Sequence, residues 1–182
     1  VMDGGLPPRS QFGQSFLGLA NLLHHLGVLP ASDWQALGRA VEAMDLASCE
    51  ARGESLGLAV EGKRICLYAD TPWRSLLTRW RQQLNENSKL LANVEVLPEM
   101  NHNELVGWES GDERHVAVML RTAIDHPRTR HRMDITAEIF QEQGADVLVV
   151  EADGDTQWAE LLDAVWVGDW MSLVLAERSG VW

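Results

Sequence analysis

A carboxylate and an imidazole, Glu86 and His102, stand sixteen residues apart, each inside a run of amide side chains. The first run is Asn85-Glu86-Asn87-Ser88-Lys89; the second is Pro98-Glu99-Met100-Asn101-His102-Asn103-Glu104. Moving a proton between adjacent carbons needs a base that takes it from one and returns it to the other, which suits a carboxylate. Acid–base assistance to opening a sugar ring suits a histidine, whose pKa lies near neutrality. Each run also has a plain structural reading. Asparagine competes for backbone hydrogen bonds and is poor inside helices. The first cluster therefore reads as a helix C-cap with asparagine in a left-handed conformation, and the second as an N-cap. On residue types alone both readings stay open.

The elements that must position these clusters read as an α/β domain. Four short apolar runs are expected as strands: Arg64–Ala69, Val94–Leu97, His115–Leu120 and Asp146–Val150. Helical stretches separate them, from Pro72 to Ser88, from about His102 to Trp108, and from Pro127 to Gln143. A further helix is expected from Asp155 to Val167, where Gly168-Asp169 breaks the chain and recaps it into a last helix. Continuous apolar strands alternating with helices predict a parallel sheet covered on both faces, a three-layer αβα domain of four to five strands over residues 63–182. Residues 1–62 precede it. They hold the extended Leu6-Pro7-Pro8-Arg9, a helix from Phe12 to Gly27, and a second from Trp34 to Cys49 capped by Ser32-Asp33. This α-helical hairpin leaves residues 51–62 without an assigned element. In such folds ligands bind at the carboxyl ends of the strands. Glu86 and His102, the latter from the same or a neighbouring copy, are thus expected to open on one polar cleft there.

Composition bounds the function. Fifteen basic against twenty-seven acidic residues give a net charge of −12, which lacks the basic footprint of a nucleic-acid binder. No run of eighteen uncharged apolar residues occurs, so no membrane span is expected. The start shows no secretory pattern. Cys49 and Cys66 have no ligand spacing, which fits a reduced, cytoplasmic compartment. Nothing predicts a metal or cofactor.

Both polar runs, with Leu105-Val106-Gly107-Trp108 after the second, resemble the bifunctional phosphoglucose/phosphomannose isomerase family, which carries two sugar isomerase (SIS) domains. The likeness is to the second domain. Leu6–Arg9, Asp125-His126-Pro127-Arg128 with Arg132, and Gly168-Asp169 with Ser172 and Ala176 extend it along the chain. The resemblance implies Glu86 as the base that shuttles a proton between C1 and C2 through a cis-enediol. It implies His102 as the ring-opening group, reaching the active site of a neighbouring subunit in a homodimer. Asn85, Asn87, Lys89, Asn101 and Asn103 are implied as orienting residues. Glucose and mannose 6-phosphates differ only at C2, so one site serves both if the intermediate rotates about C2–C3. The family's phosphate-cradling loop and enediolate-stabilising arginine belong to an N-terminal SIS domain that nothing here resembles, and its last segment, with a threonine and a lysine, follows the last helix. The implied chain is a C-terminal half, inactive alone.

Other features carry plainer readings. Arg128, Arg130, His131 and Arg132 form a basic, solvated face. His24-His25 suits a helix C-terminus, Cys66 is a small core residue, and Trp73 and Trp108 are candidates to wall the pocket. The rival function is a non-catalytic SIS module that binds sugar phosphates for regulation or assembly. A flavodoxin-like domain of other function requires both polar runs to be caps.

Overall fold

The computed structural model describes residues 7–29 and 34–181. The chain divides into two compact units between Arg39 and Ala40. In the first, α1 (Phe12–His25) stacks Phe12 on Phe16 with ring centroids 5.6 Å apart, and its Leu17, Leu19 and Leu22 are exposed. The Ser32-Asp33 cap and Leu6 lie outside the described residues.

The second unit is built on four parallel strands: β1 (Arg64–Asp70), β2 (Ala92–Leu97), β3 (His115–Arg121) and β4 (Asp146–Glu151). Their order is β2-β1-β3-β4, with Leu67 beside both Val94 and Val118, and Val118 beside Leu148. β1 and β3 are central and buried almost end to end, which accounts for their continuous apolar runs. One face packs Cys66, Tyr68, Ala117 and Met119 on Met133 and Phe140 of α6 (Pro127–Glu142). The other face is covered by α4 (Arg74–Gln83), and α7 (Gln157–Ser179) packs on α4. This is the three-layer arrangement with four strands.

Pro8 and Arg9, expected as extended chain, form with Ser10 a short 3-10 turn closed by the Ser10 N–H on the Pro7 carbonyl at 2.9 Å, and three further elements differ from the sequence expectation. The second helix, α2 (Trp34–Ala43), ends early because Asp45 starts a new one by accepting the Ser48 N–H at 2.9 Å. That new helix, α3 (Leu46–Val60), occupies the stretch left unassigned and packs along α7, so the compact unit begins well before residue 63. Gly53 and Gly57 weaken its helical signal. They are required by the packing: a Cβ at Gly53 would fall 2.4 Å from Trp170 Cβ and 2.7 Å from the Val167 carbonyl. Third, α7 runs unbroken through Gly168. The Trp80 indole lies against that glycine, where a Cβ would sit 2.1 Å from Nε1, and Trp80 Nε1 donates to the Ala164 carbonyl at 2.8 Å. Gly168 is a contact point, not a stop.

Candidate active site

The Glu86 run is a turn of π-helix, Leu84–Ser88, continuing α4. Such widened turns recur at functional sites. It closes on Lys89, the described non-glycine residue with left-handed backbone (φ 59°), whose N–H donates to the Leu84 carbonyl. The left-handed position is therefore Lys89 rather than an asparagine. The Lys89 ammonium donates to the Glu86 carbonyl at 2.5 Å, spending its charge on the negative end of the helix dipole. Asn85, with its amide nitrogen facing the carbonyls, donates to Arg81 O at 2.8 Å and Leu90 O at 2.9 Å. Asn87 Nδ2 donates to Ser172 Oγ at 2.9 Å, and Ser88 Oγ donates to the Ser172 carbonyl at 2.8 Å. Glu86 itself is exposed.

The His102 run is tied down in the same way. Asn101 Nδ2 donates to Thr136 Oγ1 of α6 at 2.9 Å. Asn103 accepts the Glu104 N–H at 2.6 Å and caps the short α5 (Glu104–Gly107), as the capping reading expects. Glu104 accepts from the Tyr68 hydroxyl at 2.5 Å, and that oxygen accepts from Trp108 Nε1 at 3.0 Å. Burial chiefly pushes the Tyr68 pKa up, so the phenol stays a neutral donor. His102 is exposed beside this anchored framework. The amides around Glu86 and His102 thus hold the two turns, while the carboxylate and the imidazole face outward.

Chain topology separates the pair. α4 begins beyond the carboxyl end of β1 and returns along the sheet, so the Glu86 turn lies near the amino end of β2. His102 follows the carboxyl end of β2. The two runs are fastened on opposite faces of the sheet, the Glu86 turn to Ser172 of α7 and the His102 run to Thr136 of α6. The expectation that Glu86 opens on a cleft at the strand carboxyl ends is corrected: its turn ends the returning α4 and lies at the opposite end of the sheet. The sequence misled because helix length, not motif spacing, decides on which edge a helix terminus emerges.

The strand carboxyl ends are filled by the chain's own carboxylates. Asp70 accepts the Thr71 N–H at 2.8 Å and, across the β1–β3 switch point, the His126 N–H at 2.9 Å. Asp125 accepts the Thr122 N–H at 2.9 Å and its hydroxyl at 2.7 Å. Glu160 accepts the Ala123 N–H at 2.6 Å, and Asp163 the Asp153 N–H at 2.9 Å. Burial raises the Asp125 pKa, and Asp70 adds to it. Backbone donors of the kind that cradle phosphate in related architectures are already satisfied here, by negative charge.

The remaining candidates have structural places. Trp73 donates to Thr122 Oγ1 at 2.9 Å and Trp108 stacks on Phe140 with centroids 3.9 Å apart. Both are buried in the core. Arg130 donates to Glu151 and to the Thr122 carbonyl, while Arg128, His131 and Arg132 are exposed. A groove of about 650 Å³ beside the outer edge of β4 is lined by Arg52, Ser55, Leu56 and residues 147–153, among others, and includes no candidate site residue. Among the described residues no three His, Cys, Asp or Glu side chains gather as a cation site, and no helix is long and apolar enough to cross a membrane. Sequence reading missed Ser172, Tyr68, Glu104 and Thr136 as anchors. Ser172, Tyr68 and Thr136 are contributed by elements distant in sequence, and no spacing pattern links them to the turns.

The family described as bacterial phospho-glucose isomerase C-terminal SIS domain matches residues 50–181. A bifunctional phosphoglucose/phosphomannose isomerase from Aquifex aeolicus is 33% identical over 180 residues, covering 97% of this chain and 54% of that protein. One from Caldicellulosiruptor bescii is 31% identical over 190 residues, covering 97% and 56%. The chain spans about half the length of the curated relatives it matches. A glucose-6-phosphate isomerase like protein from Thermus thermophilus has a TM-score of 0.57 at 19% identity, covering 71% of this chain and 42% of that one. The C-terminal domain of a glucosamine-fructose-6-phosphate aminotransferase from Francisella tularensis gives 0.54 at 12% identity, covering 79% and 42%. These two likenesses show the fold.

Proposed function

The chain belongs to the bacterial phosphoglucose isomerase C-terminal SIS domain family, and from that premise we propose that it carries the proton-transfer side of a hexose 6-phosphate isomerase. The reaction interconverts glucose 6-phosphate, mannose 6-phosphate or both with fructose 6-phosphate. Glu86 removes the C2 proton of the open-chain aldose; O1 gains a proton, leaving a cis-enediol. The C2 hydroxyl then loses its proton as the carbonyl forms there, and Glu86 delivers its proton to C1. His102 assists ring opening and is supplied by a second copy of the chain, because within one chain its run is fastened on the opposite face of the sheet from the Glu86 turn. The phosphate is held outside this domain, by an N-terminal SIS domain of the same parent protein. The setting is cytoplasmic sugar-phosphate metabolism.

The observation that carries this reading is the Glu86 turn: an exposed carboxylate on a widened turn whose two neighbours on the C-terminal side are hydrogen-bonded to one buried serine. A cap alone needs no such fixing of the chain around an outward carboxylate. The carboxylate-filled strand ends weigh against the rival reading, a module that binds sugar phosphate at its own crevice. The test is Glu86→Gln in the complete protein carrying this chain, assayed for fructose 6-phosphate formation. Turnover is expected to fall about 10³-fold with the fold retained; turnover within a few-fold of wild type removes Glu86 as the base.

A further inference from the structure

We propose that Ser172, on α7, is the positioning residue that fixes Glu86 for proton transfer, acting through Asn87. The inference rests on Glu86 being the base. Ser172 is fully buried and meets the turn twice. Its hydroxyl oxygen accepts from Asn87 Nδ2 at 2.9 Å, and its carbonyl accepts from Ser88 Oγ at 2.8 Å. The two residues immediately after Glu86 are therefore both fastened to one point on a helix 85 positions away. The hydroxyl proton is already committed to the Asp169 carbonyl at 2.7 Å, so Ser172 can only accept from residue 87. That polarity selects asparagine over aspartate.

The fastening point is itself rigid. One turn earlier on α7, Asp169 accepts from Arg79 at 2.5 Å and from Gln83 at 2.9 Å, both on α4. Gly168 lets the Trp80 indole close against α7. The helix that delivers Glu86 is thereby locked to α7 just before the turn, and the turn is locked just after it. A base that must reach two adjacent carbons in succession gains from such fixing, since a misplacement of about 1 Å can cost about 100-fold in rate.

The experiment compares Ser172→Ala, Asn87→Ala, Asn87→Asp and the Ser172→Ala/Asn87→Ala double variant in the complete protein, with Glu86→Gln alongside. Turnover and KM are measured on protein whose folding is checked by its Tm. Each single variant is expected to lose about 10- to 100-fold in kcat with KM within about twofold. The double variant should fall no further than the worse single, because both remove the same Asn87–Ser172 hydrogen bond. Asn87→Asp should be as poor as Asn87→Ala, although packing alone would tolerate it. If Ser172→Ala does not fold, the two Asn87 variants carry the test. Wild-type kcat in Asn87→Asp, or additive losses in the double variant, with Glu86→Gln inactive, overturns the positioning role and leaves the base in place. An active Glu86→Gln overturns both.

Discussion

Tyr68 shows how a single side chain sets the His102 side. It is 1% exposed, and its hydroxyl donates to Glu104 while accepting from Trp108 Nε1. Removing that oxygen strands a buried indole N–H and takes a partner from a carboxylate, and orphaned buried groups cost about 1–3 kcal/mol each. Tyr68→Phe is expected to lower stability by about 2 kcal/mol in urea unfolding, with the m-value unchanged. A loss under about 0.5 kcal/mol would mean that the Tyr68–Glu104 link does not anchor the turn. Lys89 is the contrasting case. Its ammonium is engaged with the Glu86 carbonyl at the end of the helix, a placement that serves the turn's geometry.

At the scale of elements, the packing of α3 and α4 on α7 depends on glycines. Gly168→Ala would put a Cβ inside the Trp80 indole, and Gly53→Ala would put one against the α7 backbone at Val167. Neither neighbour is a flexible chain end, so each substitution is expected to cost about 3 kcal/mol. At Gly57 the nearest atom to a Cβ is 3.1 Å away, and Gly57→Ala should be the mildest of the three; thermal unfolding of the set gives the order. The same glycines explain what was legible in the sequence. β1 and β3 announce themselves because both faces are buried and the apolar run is unbroken. α3 was invisible, and α7 seemed to break, because a glycine reads locally as a helix weakener. The tryptophans that require it, Trp80 for Gly168 and Trp170 for Gly53, lie about ninety to well over a hundred positions away. The polar turns were legible by composition. Their location at opposite ends and on opposite faces of the sheet was not, since it follows from α4 returning along the sheet before β2 begins.

For the whole molecule, two facts point the same way. The strand carboxyl ends are occupied by Asp70, Asp125 and Glu160 on their own backbone donors, which leaves no cradle for a phosphate there. The Glu86 turn is fastened to α7 on one face of the sheet and the His102 run to α6 on the other, which sets the two side chains apart within one chain. The matched relatives are nearly twice as long as this chain. The proposed site takes Glu86 from one copy and His102 from another, with the phosphate held by other parts of the parent protein. Subunit complementation tests this most directly. Glu86→Gln and His102→Gln versions of the complete protein, each inactive alone, are mixed under conditions that let subunits exchange. Half of the dimers are then mixed, and in each of them one site regains an intact Glu86 and an intact His102. The account predicts recovery of about a quarter of wild-type turnover. No recovery, with exchange confirmed by differently tagged subunits, would contradict the two-chain site.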